Sequence, residues 1–182
     1  MSVLAAIRAA TAERHKELEV RLDIVERLSR KEERGPIMER YFRLYAAAEA
    51  RLLPRLSAVE GLDYAGRLKT PHLRQDLETI GLPLAEPKEG VALPPLSGTS
   101  EALGFAYVLE GATLGGRVIR KQLARRGVPA AETRFFDGYG DDTGRRWSTF
   151  CAVLERDCAP APEKAVAGAI AGFSYVAHGL LG

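Results

Sequence analysis

Cysteine is scarce in this chain, with only Cys151 and Cys158 among 182 residues. They lie seven positions apart on what reads as one helix, so their α-carbons sit about 10 Å apart at the helical rise, too far to form a disulfide. Free thiols of this kind suit a reducing compartment. An excess of either charge is also missing, since Lys+Arg 26 against Asp+Glu 24 leaves a net charge of +2. That balance argues against general nucleic-acid binding, which asks for a basic surplus or stripe, but it leaves room for a local basic rim around an anionic ligand. The N-terminal MSVLAAIRAATAERHKE lacks the apolar run of a secretory peptide, and no stretch reads as the ~20 apolar residues of a bilayer span. A cytoplasmic protein without a membrane segment is expected. Zinc motifs are absent too: His15, His72 and His178 have no second ligand at HExxH or paired CxxC spacing.

What is present is helical periodicity. A hydrophobic fraction of 46% and a charged fraction of 27% are ordinary for a globular chain, and the length suits one domain over residues 1–182. Ser2 to Leu28 places Leu4, Ile7, Leu18, Leu22 and Val25 on one stripe. Gly35-Pro36 predicts the start of a second helix through Tyr41, Phe42, Tyr45 and AAAEARLL, which Pro54 should kink or end. A shorter helix follows Thr70-Pro71 and closes at Gly81. The proline-rich stretch from Pro83 to Gly98 predicts a connection. Ser100 is the expected N-cap of a long helix over Glu101 to Arg126. After the turn-rich FFDGYGDDTG, Thr143 can cap a helix through Trp147, Phe150, Val153 and Leu154. Beyond Pro160 and Pro162 a last helix reaches Leu181. No segment shows the alternation of a strand, so the expectation is an all-α, multi-helix bundle.

Two features break this pattern. The first is His15, which falls on the same stripe as Ile7, Thr11, Leu18 and Leu22 and so directs an imidazole toward the core. Glu19, one turn on, can accept a hydrogen bond from one ring nitrogen and leave the other directed, as ligating histidines require. Neutral imidazole suits heme iron and several other metals. A core histidine satisfied by local hydrogen bonds fits the same spacing. The second is YVLEGATLGGRVIRKQL, residues 107–123, where Gly111, Gly115 and Gly116 interrupt a helix-forming run. Each glycine costs roughly 1 kcal/mol relative to alanine inside a helix. They would let a flat ligand approach the backbone or allow a bend; tight helix packing accounts for them equally well. The order is wrong for a dinucleotide fingerprint, no strand precedes it, and the phosphate-loop spacing fails.

Taken together, IRAATAERHKELE (residues 7–19) and LEG-x-x-LGG within YVLEGATLGGRVI resemble the proximal-histidine and distal-helix motifs of the heme oxygenase family, with LRQDLETIG (residues 73–81) a weaker match. The form of the second motif is similar to bacterial members associated with bacteriophytochromes. The resemblance implies a heme oxygenase-like bundle that cleaves heme to biliverdin, carbon monoxide and ferrous iron with dioxygen and external electrons. Heme is then both substrate and cofactor, and a reductase or ferredoxin is the electron donor, with a bilin-binding photoreceptor as a further partner. It implies His15 as iron ligand, Glu19 as its orienting partner, and Gly111, Gly115 and Gly116 as the distal face.

Better-known members carry an aspartate directly after the first distal glycine; here that residue is Ala112, and Thr113 becomes a candidate for ordering water. Arg8, Arg117, Arg145 and Arg146, with Arg120, are candidate contacts for the heme propionates, each equally readable as solvated surface charge. Phe105, Tyr107, Trp147, Phe150 and Phe173 could flank the ring, although core packing explains most of them. A heme carrier or sensor without turnover, and a helical interaction protein whose glycines only pack helices, are the alternatives.

Overall fold

A computed structural model describes residues 2–83 and 92–182. Its helices are α1 (Val3–Leu22), α2 (Ile24–Ser29), α3 (Lys31–Leu56), α4 (Thr70–Ile80), α5 (Thr99–Arg125), α6 (Thr143–Cys158) and α7 (Pro162–Leu181), with short helical turns between them and no strand among the described residues. Residues 84–91 of the expected Pro83–Gly98 connection lie outside the described residues.

Several helix ends differ from the sequence expectation for local reasons. The first segment is not continuous to Leu28: Asp23 adopts a left-handed conformation at φ 40° and separates α1 from α2. Helix α3 starts at Lys31, before Gly35, and contains both Pro36 and Pro54. Each proline removes one backbone bond, to Glu32 and Ala50 respectively. Both of those residues, like the prolines, are on the solvent side, where water can serve the freed carbonyl. Meanwhile the inner face of α3 (Ile37, Met38, Phe42, Tyr45, Ala48, Leu52) stays buried and holds the helix together. Helix α5 begins at Thr99 rather than after Ser100, with the Glu101 carboxylate accepting from Ser97 N at 2.6 Å. Thr143 opens α6, its hydroxyl accepting from Tyr139 N and donating to Gly140 O.

Helices α5 and α7 form the central packed pair. They approach through glycines: a Cβ on Gly104 would collide with the Ala165 carbonyl, and one on Gly168 with the Glu101 carbonyl. Helix α7 is long and apolar enough to cross a membrane by length and composition, contrary to the expectation that no stretch would be. Here its apolar residues serve packing. Ala165, Ala169, Phe173, Tyr175 and Leu180 are buried, Tyr175 donates to Leu44 O at 2.9 Å, and Arg40 donates to Leu180 O at 3.0 Å.

Helix α1 also packs along α7. Its first turn is tied to α6 by Glu155, whose carboxylate accepts from Val3 N and Leu4 N at 3.0 and 2.8 Å, a favourable place for negative charge. At the other end, Arg126 pairs with Glu26 of α2 at 2.6 Å. Helices α1 and α5 therefore share α7 as a floor without forming a packed pair of their own.

Because the α5–α7 approach admits no Cβ, Gly168→Ala must displace one helix. Overpacking of this kind should cost about 2 kcal/mol or more, lowering the thermal midpoint by roughly 4–8 °C. A melt followed by circular dichroism checks this.

Candidate functional site

Helices α1 and α5, both packed on α7, carry the two sequence anomalies. On α5, Gly111, Ala112, Leu114, Gly115, Val118 and Ile119 share one face by helical spacing. All six are apolar and exposed or half-buried. Leu114 and Val118 are 44% and 59% exposed, which is unusual for adjacent large apolar groups on the helix that forms the centre of the fold. An uncovered apolar stripe of this kind marks a ligand or partner surface.

The glycines of α5 divide between the two readings left open by the sequence. Gly115 has nothing within 4 Å of where a Cβ would stand, so it lies on the open stripe. Gly111 lies there as well, and Trp147 Cη2 is 3.6 Å from its virtual Cβ. Gly116 faces the other way: a Cβ would strike the Phe136 carbonyl, so it serves close packing of α5 against the Arg134–Asp137 turn. Thr113 also turns inward. Its hydroxyl donates to Glu110 O at 2.6 Å, and it packs against the left-handed Gly138, away from the stripe.

His15 is not a core residue as its periodicity predicted. Its side chain is 59% exposed although it shares a stripe with buried Ile7, Thr11 and Leu22. Thr11 is locally satisfied through Ile7 O at 2.8 Å. The imidazole stands edge-on to Phe173 of α7, with ring centroids 5.8 Å apart. Its Nε2 is 3.5 Å from Glu19 Oε1, close but beyond a good hydrogen bond.

The arginines are placed unequally. Arg8, two turns before His15 on the same face, is exposed and has no ion pair among the described residues. Arg117 pairs with Asp141 at 3.3 Å and Arg145 with Asp142 at 2.9 Å. Arg120 pairs with Asp137. Arg146 donates to Gly66 O at 2.7 Å and lies over the Tyr139 ring, with its guanidinium carbon 4.7 Å from the ring centroid. Two surface concavities lie elsewhere, one against His72, Tyr139 and Arg146 and one along α3 and α4; neither is lined by His15 or Gly115.

Sequence reasoning missed a buried ionic group behind the stripe. Glu110, directly before Gly111, is 4% exposed. Its Oε2 accepts from Arg67 Nη1 at 2.6 Å and its Oε1 from the Tyr139 hydroxyl at 2.6 Å. Lys69 Nζ lies 4.0 Å from Oε1 and donates to Arg67 O at 2.7 Å, while sitting over the Tyr139 ring at 3.5 Å. Glu49 accepts from Thr70 N at 3.2 Å and from the Lys69 amide, closing the start of α4. Burial raises the Glu49 carboxyl above the usual range. It also pushes the Lys69 ammonium down to about 8, against the pull of Glu110 and Glu49. One signal was readable, the lone charge of Glu110 inside the apolar run YVLEGATL. Arg67 and Lys69, in a loop without periodicity, gave none.

The fold and this arrangement define an all-helical protein with an exposed imidazole on α1 and an uncovered apolar face on α5, both set on α7. No protein-family model matches the chain. It is 34% identical over 141 residues to a heme oxygenase from Xanthomonas campestris pv. campestris (strain 8004), covering 76% of this chain and 83% of that protein. A crystal structure of the Neisseria meningitidis heme oxygenase, with NO and CO bound, superposes with a TM-score of 0.82 at 18% identity, covering 99% of this chain and 90% of the other. The Leptospira interrogans heme oxygenase gives 0.79 at 17% identity, covering 99% and 98%. The chain belongs to the heme oxygenase family. It is an enzyme of heme degradation, with heme as substrate and cofactor and an external reductase or ferredoxin as source of electrons.

The Lys69 ammonium, lowered to about 8 against an unfolded value of ~10.4, costs stability at neutral pH that is relieved as it deprotonates. Between those values the unfolded chain binds more protons, so native stability should rise with pH relative to Lys69→Met. Urea unfolding of both proteins at pH 7.5 and pH 10 reads this difference directly.

Proposed function

We propose that His15 is the iron ligand of this heme oxygenase, and that Gly111 and Gly115 form the opposing face of the slot. The supporting observation is the exposed imidazole set on the same floor, α7, as the uncovered apolar stripe of α5. The residues present fit a porphyrin. Its faces are broad and apolar, which suits Leu114, Val118, Ile119 and the two glycines. Its carboxylates need cations at the slot mouth, and Arg8 is positioned and unpaired for that. Arg117, Arg145 and Arg146 would first have to leave Asp141, Asp142 and the Gly66 carbonyl. Covering Leu114 and Val118 should contribute about 1–2 kcal/mol each to binding.

Within this reading the chain's own groups have separate tasks. His15 would hold the metal through one nitrogen, and Glu19, 3.5 Å from the ring, would orient it by accepting from the other after a small closing movement. Phe173 fills the edge of the imidazole and limits its rotation. Gly115, with nothing within 4 Å of its virtual Cβ, would leave room for a small gas molecule between helix backbone and ligand. Bound heme supplies a redox-active iron and is itself the porphyrin that is opened. Ala112 is exposed and carries no proton donor, so water against the α5 backbone takes the place of a side chain there. Gly116 and Thr113 support the stripe from behind. The whole chain, residues 1–182, acts as one heme oxygenase domain. A cytoplasmic location is consistent with free Cys151 and Cys158, and a bilin-binding photoreceptor is the proposed recipient of the product.

Reconstitution with hemin tests the reading. The protein should give a histidine-type Soret band, and added reductant should produce a growing biliverdin absorption. His15→Ala should abolish biliverdin formation while leaving the fold intact. An unchanged biliverdin yield in that variant would overturn the ligand assignment. A Soret band without turnover in the native protein would mark a heme carrier instead.

A further inference from the structure

The stripe on α5 is apolar throughout. Its glycines, alanine, Leu114, Val118 and Ile119 offer a flat ligand no polar group to stop it turning in its own plane, and of the candidate arginines only Arg8 is without an ion pair or carbonyl partner among the described residues. One flank differs from the rest. Trp147, the chain's single tryptophan, places Cη2 and Cζ3 3.6 and 3.8 Å from the virtual Cβ of Gly111, so its ring edge abuts the start of the stripe. Its back is supported by Phe150, stacked at 5.8 Å and 16°, and its side by Tyr107 at 5.5 Å. Phe150 is fully buried, so this wall cannot retreat into the core.

Behind it lies the buried ion pair. Arg67 donates through Nη1 to Glu110, through Nη2 to the Arg146 carbonyl at 3.2 Å, and through Nε to Leu62 O at 2.7 Å. One planar cation thus joins the residue preceding Gly111 on α5 to the residue preceding Trp147 on α6. Its guanidinium carbon also lies 5.9 Å from the centre of the Phe150 ring that backs the tryptophan. Buried ion pairs of this kind are rarely the most stabilising solution for a core. What this one provides is a fixed spacing between ledge and wall.

We propose that Trp147 is the side wall that fixes the in-plane orientation of the porphyrin, with Arg67 and Glu110 as the positioning residues that hold that wall against Gly111. Trp147 is thereby the specificity-determining residue for which meso carbon is cleaved, because rotation of the ring is what brings one edge or another beneath the gas site. The inference rests on the slot as the heme site.

The test uses the full-length protein loaded with hemin and cyanide, read by the shifted heme-methyl proton resonances, which report ring orientation without turnover. Biliverdin isomers are separated by chromatography in parallel. The native complex should show one dominant orientation and one isomer. In Trp147→Ala a second orientation should rise from about a few per cent to about a third of the population, with a second isomer in matching proportion. Trp147→Phe, which keeps an aromatic edge, should stay close to native. Glu110→Gln should bring in the second orientation with the tryptophan still present, an outcome that loss of stability alone would not give.

If the alanine variant does not fold, Trp147→Leu takes its place, since it keeps contact with Phe150 but falls short of Gly111. A folded variant without the wall that shows the native Soret band, one unchanged orientation and one unchanged isomer overturns the proposal. A native protein that forms no histidine-type Soret complex overturns the slot reading itself, a different result.

Discussion

The close approach of α5 and α7 governs most of this structure. At Gly104 and Gly168 each backbone meets a carbonyl of the other helix with no side chain between them. Such contact sets both the spacing and the relative rotation of the pair, because neither helix can turn without bringing a Cβ into the other's main chain. The rotation so fixed leaves the Gly111–Ile119 face of α5 uncovered and aims Phe173 of α7 toward α1. Helix α1 is then held by contacts that lie away from this face: Glu155 at its first turn, α7 along its side, and the break at Asp23 leading into α2. The uncovered face of α5 and the exposed imidazole of α1 follow from the way the floor is built.

The second constraint is electrostatic. Glu110 and Arg67 are almost fully buried, and Lys69 more so. Burying charges costs more than apolar packing unless every lone pair and proton is engaged. Here each buried side-chain nitrogen and oxygen among the described residues has at least one hydrogen-bond partner. Tyr139 contributes twice, through its hydroxyl to Glu110 and through its ring face to Lys69. The group joins the Leu62–Thr70 segment, the Arg134–Asp142 turns, α5 and α6 at one point. The first two are connections between helices, and directional charge pairs position such backbone where apolar periodicity is absent.

Helix content and the two chemical motifs were legible because both rest on local spacing. The apolar stripes of α3, α4 and α7 and the positions of His15 and the α5 glycines can all be counted along the chain. What could not be counted was the partner of each face. His15 shares its stripe with core residues, so periodicity alone buried it; in the structure it meets Phe173 edge-on and is otherwise largely exposed. Gly116 and Gly115 are neighbours in sequence but point to opposite sides of the helix, one into packing and one into open space. Gly104, Gly168 and Gly172 looked unremarkable, yet they decide how α5 and α7 meet. The prolines misled for a different reason. Pro36 and Pro54 sit on the solvent side of a helix whose other face is fully buried, and tertiary packing outweighs one lost hydrogen bond at each.

Ala112 remains the point where this chain departs most from the pattern it resembles, and the structure narrows what that means. Three side chains near it could have taken over a polar role. Glu110 is fully engaged by Arg67 and Tyr139, Thr113 is turned toward Gly138 and bonded to its own helix, and Arg117 reaches for Asp141. None of them presents a free polar atom to the stripe. The uncovered face of α5 is therefore lined by carbon and by backbone, and in the proposed slot a proton reaching a ligand from that side would travel on water. An apolar wall next to the proposed gas site would slow the entry of disordered water while leaving room for a few well-placed molecules. Such molecules would be placed by shape, so the close approach of Trp147 to Gly111 would matter for chemistry as well as for fit.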